Sequence, residues 1–186
     1  MDHIWIYADE SCLGNQFTER ANPGGAAGLI EFWQDDHWVR RDYWLSETDT
    51  TNNRMALRSA SFGLQSLKRP CVVVFTSDSQ YLVRGMNEWV RTWQERGWTR
   101  KGGTIENLEL WRELVSAARP HQLSWQWVRG HAGHPQNEYA NHLATRAARE
   151  QSSSAGLVPS AFEEWLGLQR EQRQRYFEFL EHAPPS

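Results

Sequence analysis

Three extended segments precede the first helical one, and this order restricts the fold more than any other feature of the chain. "HIWIYAD" (3–9), "GGAAGLIEFW" (24–33) and "WVRRDYWLSE" (38–47) are strand-like runs, and "QDDH" between the last two marks a tight turn. Short connections of this kind build an antiparallel meander, whereas a strand reached through a helix adds in parallel. Helical and strand-like segments alternate from residue 50 onward. An antiparallel opening extended by parallel strands predicts an α/β fold: a mixed sheet with helices on its faces.

The remaining segments follow from spacing. "TTNNRMALRSASFGLQSLK" sets Leu57, Ala60, Leu64 and Leu67 on one helical stripe behind Thr and Asn capping residues, and Pro70 ends it. "CVVVF" is a short buried strand that ends at "TSD". A helix from Ser79 carries Leu82, Met86, Trp89, Val90 and Trp93 and breaks at "RGWTRKGG". "ENLELWRELVSAARP" makes another helix, "HQLSWQWV" alternates as a strand, "RGHAGHPQ" is a loop, and "NEYANHLATRAARE" is a helix. The expected order is βββαβααβα, a five-stranded mixed sheet. After Glu150 the run "QSSSAG" reads as a flexible linker, so the expected organisation is a folded domain at 1–150 and an extension at 151–186. Ser160 and Glu163 form a capping box for a last helix. Its apolar Phe162, Trp165, Leu166, Phe177 and Leu180 dock either on the domain or on a protein partner.

Composition excludes several classes. The net charge of −3 over 186 residues gives no global signal for nucleic acid, so any basic surface is local. The two cysteines fit neither a disulfide framework nor a zinc site and suit a reducing cytoplasm. No apolar run approaches the length of a membrane span, and the expected location is cytoplasmic. The eleven tryptophans serve as core anchors or as platforms for bases and sugars.

Three polar clusters fall at strand ends or helix starts, where sheet proteins assemble sites. They are Asp9 with Glu10, Asp78 in "TSDSQY", and the "GHAGH" loop leading to Asn137, Glu138 and Asn141. An acid that ends a buried strand must be paired, desolvated or bound to a cation, and convergence of Asp9 with Asp78 makes a magnesium site. Asp78 also suits a helix N-cap, and position alone does not separate the two roles.

The order of elements and a set of motifs resemble the type 1 ribonuclease H family over residues 3–149. The motifs are "DESCLGN", "NPGGAAG", "TTNNRM", "TSDSQYLVRGMNEWV", "RGW", "LW" and "GHAGHPQNE". The resemblance implies the ribonuclease H-like fold and hydrolysis of the RNA strand of RNA/DNA hybrids. It implies Mg2+ or Mn2+ held by four acids, with a loop histidine assisting. Asp9 matches the first acid, Asp78 the third, and His131 the histidine, for which a proton-shuttle role follows. His134, beside the Pro135 that starts the last helix of the domain, is expected to be structural.

Two positions depart from the family pattern. Ala56 stands where the second acid belongs and Asn141 where the fourth does. An amide oxygen still ligates a hard cation with less charge, but alanine offers no ligand atom, and residues 55–68 contain no Asp or Glu. Glu10 replaces the family's usual glycine next to Asp9. We expect it to curl toward the metals, aided by twist or a bulge at the strand end, and to give a ligand set of Asp9, Glu10, Asp78 and Asn141.

By the same resemblance, Cys12, Asn15, Asn52, Asn53 and Gln80 line the groove that reads 2′-hydroxyls, and Asn15 with Thr51 grips a DNA-strand phosphate. The segment 84–101 resembles the family's basic protrusion, and within it Trp89 is expected to touch a DNA sugar. Here that segment sets Arg84, Arg91, Arg96, Arg100 and Lys101 against Glu88 and Glu95, so its hold on a backbone is weaker. "QFTER" (16–20) is an insertion beside the metal site. The expectation is a monomeric hybrid endonuclease. A hybrid-binding protein without useful catalysis and a nuclease that needs a partner at its C-terminal helix are the alternatives.

Overall fold

The structure, a computed structural model, describes residues 1–14, 21–130 and 133–184. The strands β1 (Asp2–Cys12), β2 (Gly24–Gln34) and β3 (His37–Glu47) form an antiparallel meander. The β2–β3 turn holds Asp35 at φ 49° and Asp36 at φ 62°, the left-handed pair that matches a two-residue turn to strand twist. β4 (Cys71–Ser77) lies parallel to β1, and β5 (Gln122–Trp127) lies parallel to β4.

The sheet has six strands rather than five, in the order β5-β4-β1-β2-β3-β6. The sixth, β6 (Val158–Pro159), adds antiparallel to β3 through Arg41 and Asp42. Two residues, one of them proline, carry no strand periodicity. An edge position tolerates the missing N–H.

Alternation along β1 sorts the helices onto two faces. Ile4, Ile6 and Ala8 join one core with Met55, Ala56, Leu57, Ala60 and Leu64 of α1 (Asn52–Gln65) and with Leu110, Trp111 and Leu114 of α4 (Leu108–Ala118). Tyr7, Ala27 and Leu29 meet Tyr139 and Leu143 of α5 (Pro135–Glu150) on the other face. The sheet admits α5 closely because Gly25 has no side chain, and a Cβ there would lie 2.1 Å from the Ala144 carbonyl oxygen. The helix expected from Ser79 is α2 (Gln80–Arg84), which passes through a wide turn at Gly85–Trp89 into α3 (Val90–Glu95).

The C-terminal extension docks on the same chain. Phe162 and Leu166 of α6 (Phe162–Arg173) are buried against Tyr139 and Leu143. The expected capping box does not form. Ser160 Oγ instead accepts from the Phe162 N–H, and Glu163 turns to the buried Arg40, which also binds Glu31 and Glu181. The helix ends at Arg173, where Gln174 turns left-handed, so Phe177 and Leu180 fall outside it and are exposed. Among the described residues no helix is long and apolar enough to cross a membrane.

Candidate active site

The site begins where β4 stops. The parallel register pairs Ala8 with Ser77 at its last step, so the next residues, Asp9 and Asp78, lie side by side beyond the ladder. Antiparallel pairing of β1 with β2 runs on unbroken to Cys12. No bulge therefore carries Glu10 around the strand, contrary to one of the two routes expected. Asp9 points to the α5 face, and Glu10 stands on the opposite face, shared with α1. One ligand oxygen from each of Asp9, Glu10 and Asp78 falls within 4.8 Å of the others. The length of the Glu10 side chain and the end of β4 bring together acids that alternation alone would separate.

The electrostatics follow from this crowding. Burial, then the charges of Asp9 and Asp78, push Glu10 well above the usual carboxylate range. Burial and the Asp78 charge likewise raise Asp9, which the Glu10 N–H (2.8 Å to Oδ1) and an Asn141 hydrogen bond partly offset. Glu10 is part-buried overall, yet its Oε2 is sealed from solvent and has no hydrogen-bond partner among the described residues. A hard cation fits such a set: crowded carboxylate oxygens repel one another, and an orphaned buried oxygen lacks a positive partner.

Ala56 is fully buried on α1, in the same core as Ala8. Its position offers no ligand, and Glu10 supplies a carboxylate from the same side of the sheet. Asn141 reaches Asp9 from α5, so four of the expected catalytic residues meet at one place.

The expected substrate residues are spread around it. Thr51 caps α1, its Oγ1 accepting from the Arg54 N–H at 3.2 Å, with exposed Asn52 and part-buried Asn53 next in the chain. Cys12 is part-buried, and burial with the charges of Glu10 and Glu47 raises its thiol to about 11. Gln80 is exposed at the start of α2, whose cap is Ser79 and not Asp78. Trp89 is part-buried among Tyr81, Trp93 and Trp111. His134 occupies the N-cap position of α5 without a side-chain capping bond and packs on Tyr7. Asn15, the inserted residues 16–20 and His131 lie outside the described residues.

Three supporting residues have only faint sequence signals. Gly130 touches Asp78, and a Cβ there would stand 2.7 Å from Oδ2, which accounts for glycine ahead of the loop histidine. The Trp127 indole donates to the Asp78 carbonyl at 3.0 Å. Asn22 accepts from the Gly14 N–H and donates to the Thr50 carbonyl, tying the loop after β1 to the start of α1. In the protrusion, Arg84 pairs with Glu88 and Arg91 with Glu95, which neutralises two of its five cations.

The RNase H family model matches residues 1–149. A ribonuclease H of Stutzerimonas stutzeri is 44% identical over 146 residues, covering 78% of this chain and 91% of that protein. One from Methylococcus capsulatus is 40% identical over 148 residues, covering 79% and 90%. Among solved structures, LC9-RNase H1, described as a type 1 RNase H with the type 2 active-site motif, is 54% identical. It superposes with a TM-score of 0.83 over 88% of this chain and 80% of that one.

Proposed function

The chain belongs to the ribonuclease H family, hydrolases of RNA/DNA hybrids, and from that premise we propose an endonuclease that cuts the RNA strand using Mg2+ or Mn2+ held by Asp9, Glu10, Asp78 and Asn141. The observation that carries the ligand set is the convergence of three carboxylates from β1 and the end of β4, with a buried, unpartnered Glu10 oxygen among them. A relative described as a type 1 RNase H with the type 2 active-site motif supports an altered active-site set on this fold. In this reading the catalytic unit is residues 1–150, with 151–186 accessory, and a monomer suffices because one chain supplies every ligand.

When bound, the cations supply positive charge for the scissile phosphate and acidify an attacking water, giving a 3′-hydroxyl and a 5′-phosphate. The residues divide the remaining work. Asp9 and Asp78, held side by side by the strand register, set the spacing of the negative oxygens. Glu10 adds the charge that Ala56 lacks, and the neutral Asn141 orients the Asp9 carboxylate. His131, next to Gly130, moves the proton near neutral pH. Cys12, Asn15, Asn52, Asn53 and Gln80 serve the hybrid groove, Asn15 with Thr51 takes a DNA-strand phosphate, and Trp89 touches a DNA sugar.

A gel assay with a labelled hybrid and the matching duplex DNA, in Mg2+, Mn2+ or chelator, tests the reading. Cleavage of the hybrid alone, abolished by chelator and strongly slowed by Glu10→Ala, is expected. Undiminished cleavage by Glu10→Ala would remove Glu10 from the site.

A further inference from the structure

The extension leaves a groove of about 900 Å3 between α5 and α6, and Asn141 of the candidate metal site lines it. Asn141, Thr145 and Arg149 recur every four residues, one stripe of α5, so a path leads along the helix from the reacting phosphate. Eight residues of helix span about 12 Å.

The charges along this path are unusually available. Arg146, Arg149 and Arg173 line the groove, and none has a carboxylate at ion-pair distance among the described residues. Arg146 lies over the Trp44 ring at 4.9 Å and its charge also acts on the buried Asp42, so it is partly engaged. Arg149 and Arg173 are exposed. The acid one turn before Asn141, Glu138, is taken by Arg175 at 2.8 Å, so its charge is spent before an anion arrives. Glu150 and Glu164 remain, two acids against the exposed Arg149 and Arg173 and the partly engaged Arg146. The protrusion shows the opposite pattern, with Arg84 and Arg91 closed onto their own glutamates.

We infer that the α5–α6 groove binds the sugar-phosphate backbone of the cleaved strand, with Arg149 and Arg173 on phosphates roughly two to three nucleotides from the scissile bond. The extension thereby supplies a backbone grip that the protrusion has partly lost. The inference rests on the hybrid-nuclease reading above and adds a site to it. Continuity with Asn141 favours the substrate strand over an acidic protein, since a strand threaded through the metal site must continue past it.

The test measures binding of a fluorescent RNA/DNA hybrid to the full chain in chelator across 50–300 mM salt, for wild type, Arg149→Ala/Arg173→Ala, the matching double lysine variant, and Arg91→Ala. The double alanine variant should lower the slope of log affinity against log salt by about 1.5–2 and weaken binding ~10-fold or more at 50 mM salt. The double lysine variant should keep the slope, which separates charge from any folding defect. Arg91→Ala should move it by less than about half a unit, because Glu95 already holds that charge. An unchanged slope in the double alanine variant overturns the groove, as does a loss that lysine fails to rescue. If wild type still cleaves the hybrid, the function then stands without the groove; if wild type neither binds nor cleaves, both fall.

Discussion

Replacing Glu10 with glutamine should make the metal-free protein more stable while taking away its response to metal. Glu10 shares a 4.8 Å cluster with Asp9 and Asp78. At that separation and an effective dielectric of about 20, a pair of full charges repels by about 3 kcal/mol. The acids relieve part of this by holding protons, so removing one charge should gain about 1–3 kcal/mol at pH 8, or roughly 2–10 °C in Tm for a chain of this size. The sign with pH follows from the raised Glu10 carboxyl. A carboxyl raised on folding contributes fully below its unfolded value and loses that contribution as pH rises through its folded value. The advantage of Glu10→Gln should therefore be small near pH 4.5 and grow toward pH 8. Thermal melts of both proteins in chelator at several pH values measure it. Added Mn2+ should then raise the wild-type Tm more than that of the variant, because binding stabilises in proportion to affinity. A variant no more stable at pH 8, or a difference flat with pH, would refute the claim that Glu10 faces the other acids.

Three further outcomes follow. Glu10→Ala should slow hybrid cleavage by ~100-fold or more in Mg2+, and Ala56→Glu in that background should restore part of the rate, since it returns a carboxylate from the same face. Gly130→Ala should reduce kcat by about ten-fold or more, with little change in Tm, because its Cβ would push Asp78 Oδ2 from 2.7 Å contact. Arg40→Ala should cost about 3–5 kcal/mol in denaturant melts by leaving Glu31 buried without its partner at 2.8 Å.

Much of the fold was legible because it depends on local pattern. The "QDDH" turn, the Thr51 cap before α1, and the alternation of β1 are written in neighbouring residues, and each forms where expected, whereas Asn52 and Asn53 fall inside the helix instead of capping it. The helix from Ser79 was legible in extent but not in its wide middle turn. The sixth strand and the end of α6 were not legible. Val158–Pro159 pairs only because β3 has a free edge, and Glu163 leaves the capping box because a buried arginine lies across the chain from it.

The site divides in the same way. Sequence by itself supplied the residue types, adjacent acids at the end of one strand and a third after another, and the family resemblance added an amide in place of a fourth acid. Sequence alone also showed that Ala56 has no neighbouring acid to replace it. Only the tertiary structure decided that Asp9 and Glu10 can point toward one place, because that depends on β4 ending at Ser77 and leaving the strand edge open. The same holds for which arginines lack a carboxylate partner among the described residues. Arg84 and Arg91 are cancelled within a single helical turn, whereas Arg149 and Arg173 come from helices that meet only after folding, and free charge is a property of spatial neighbours.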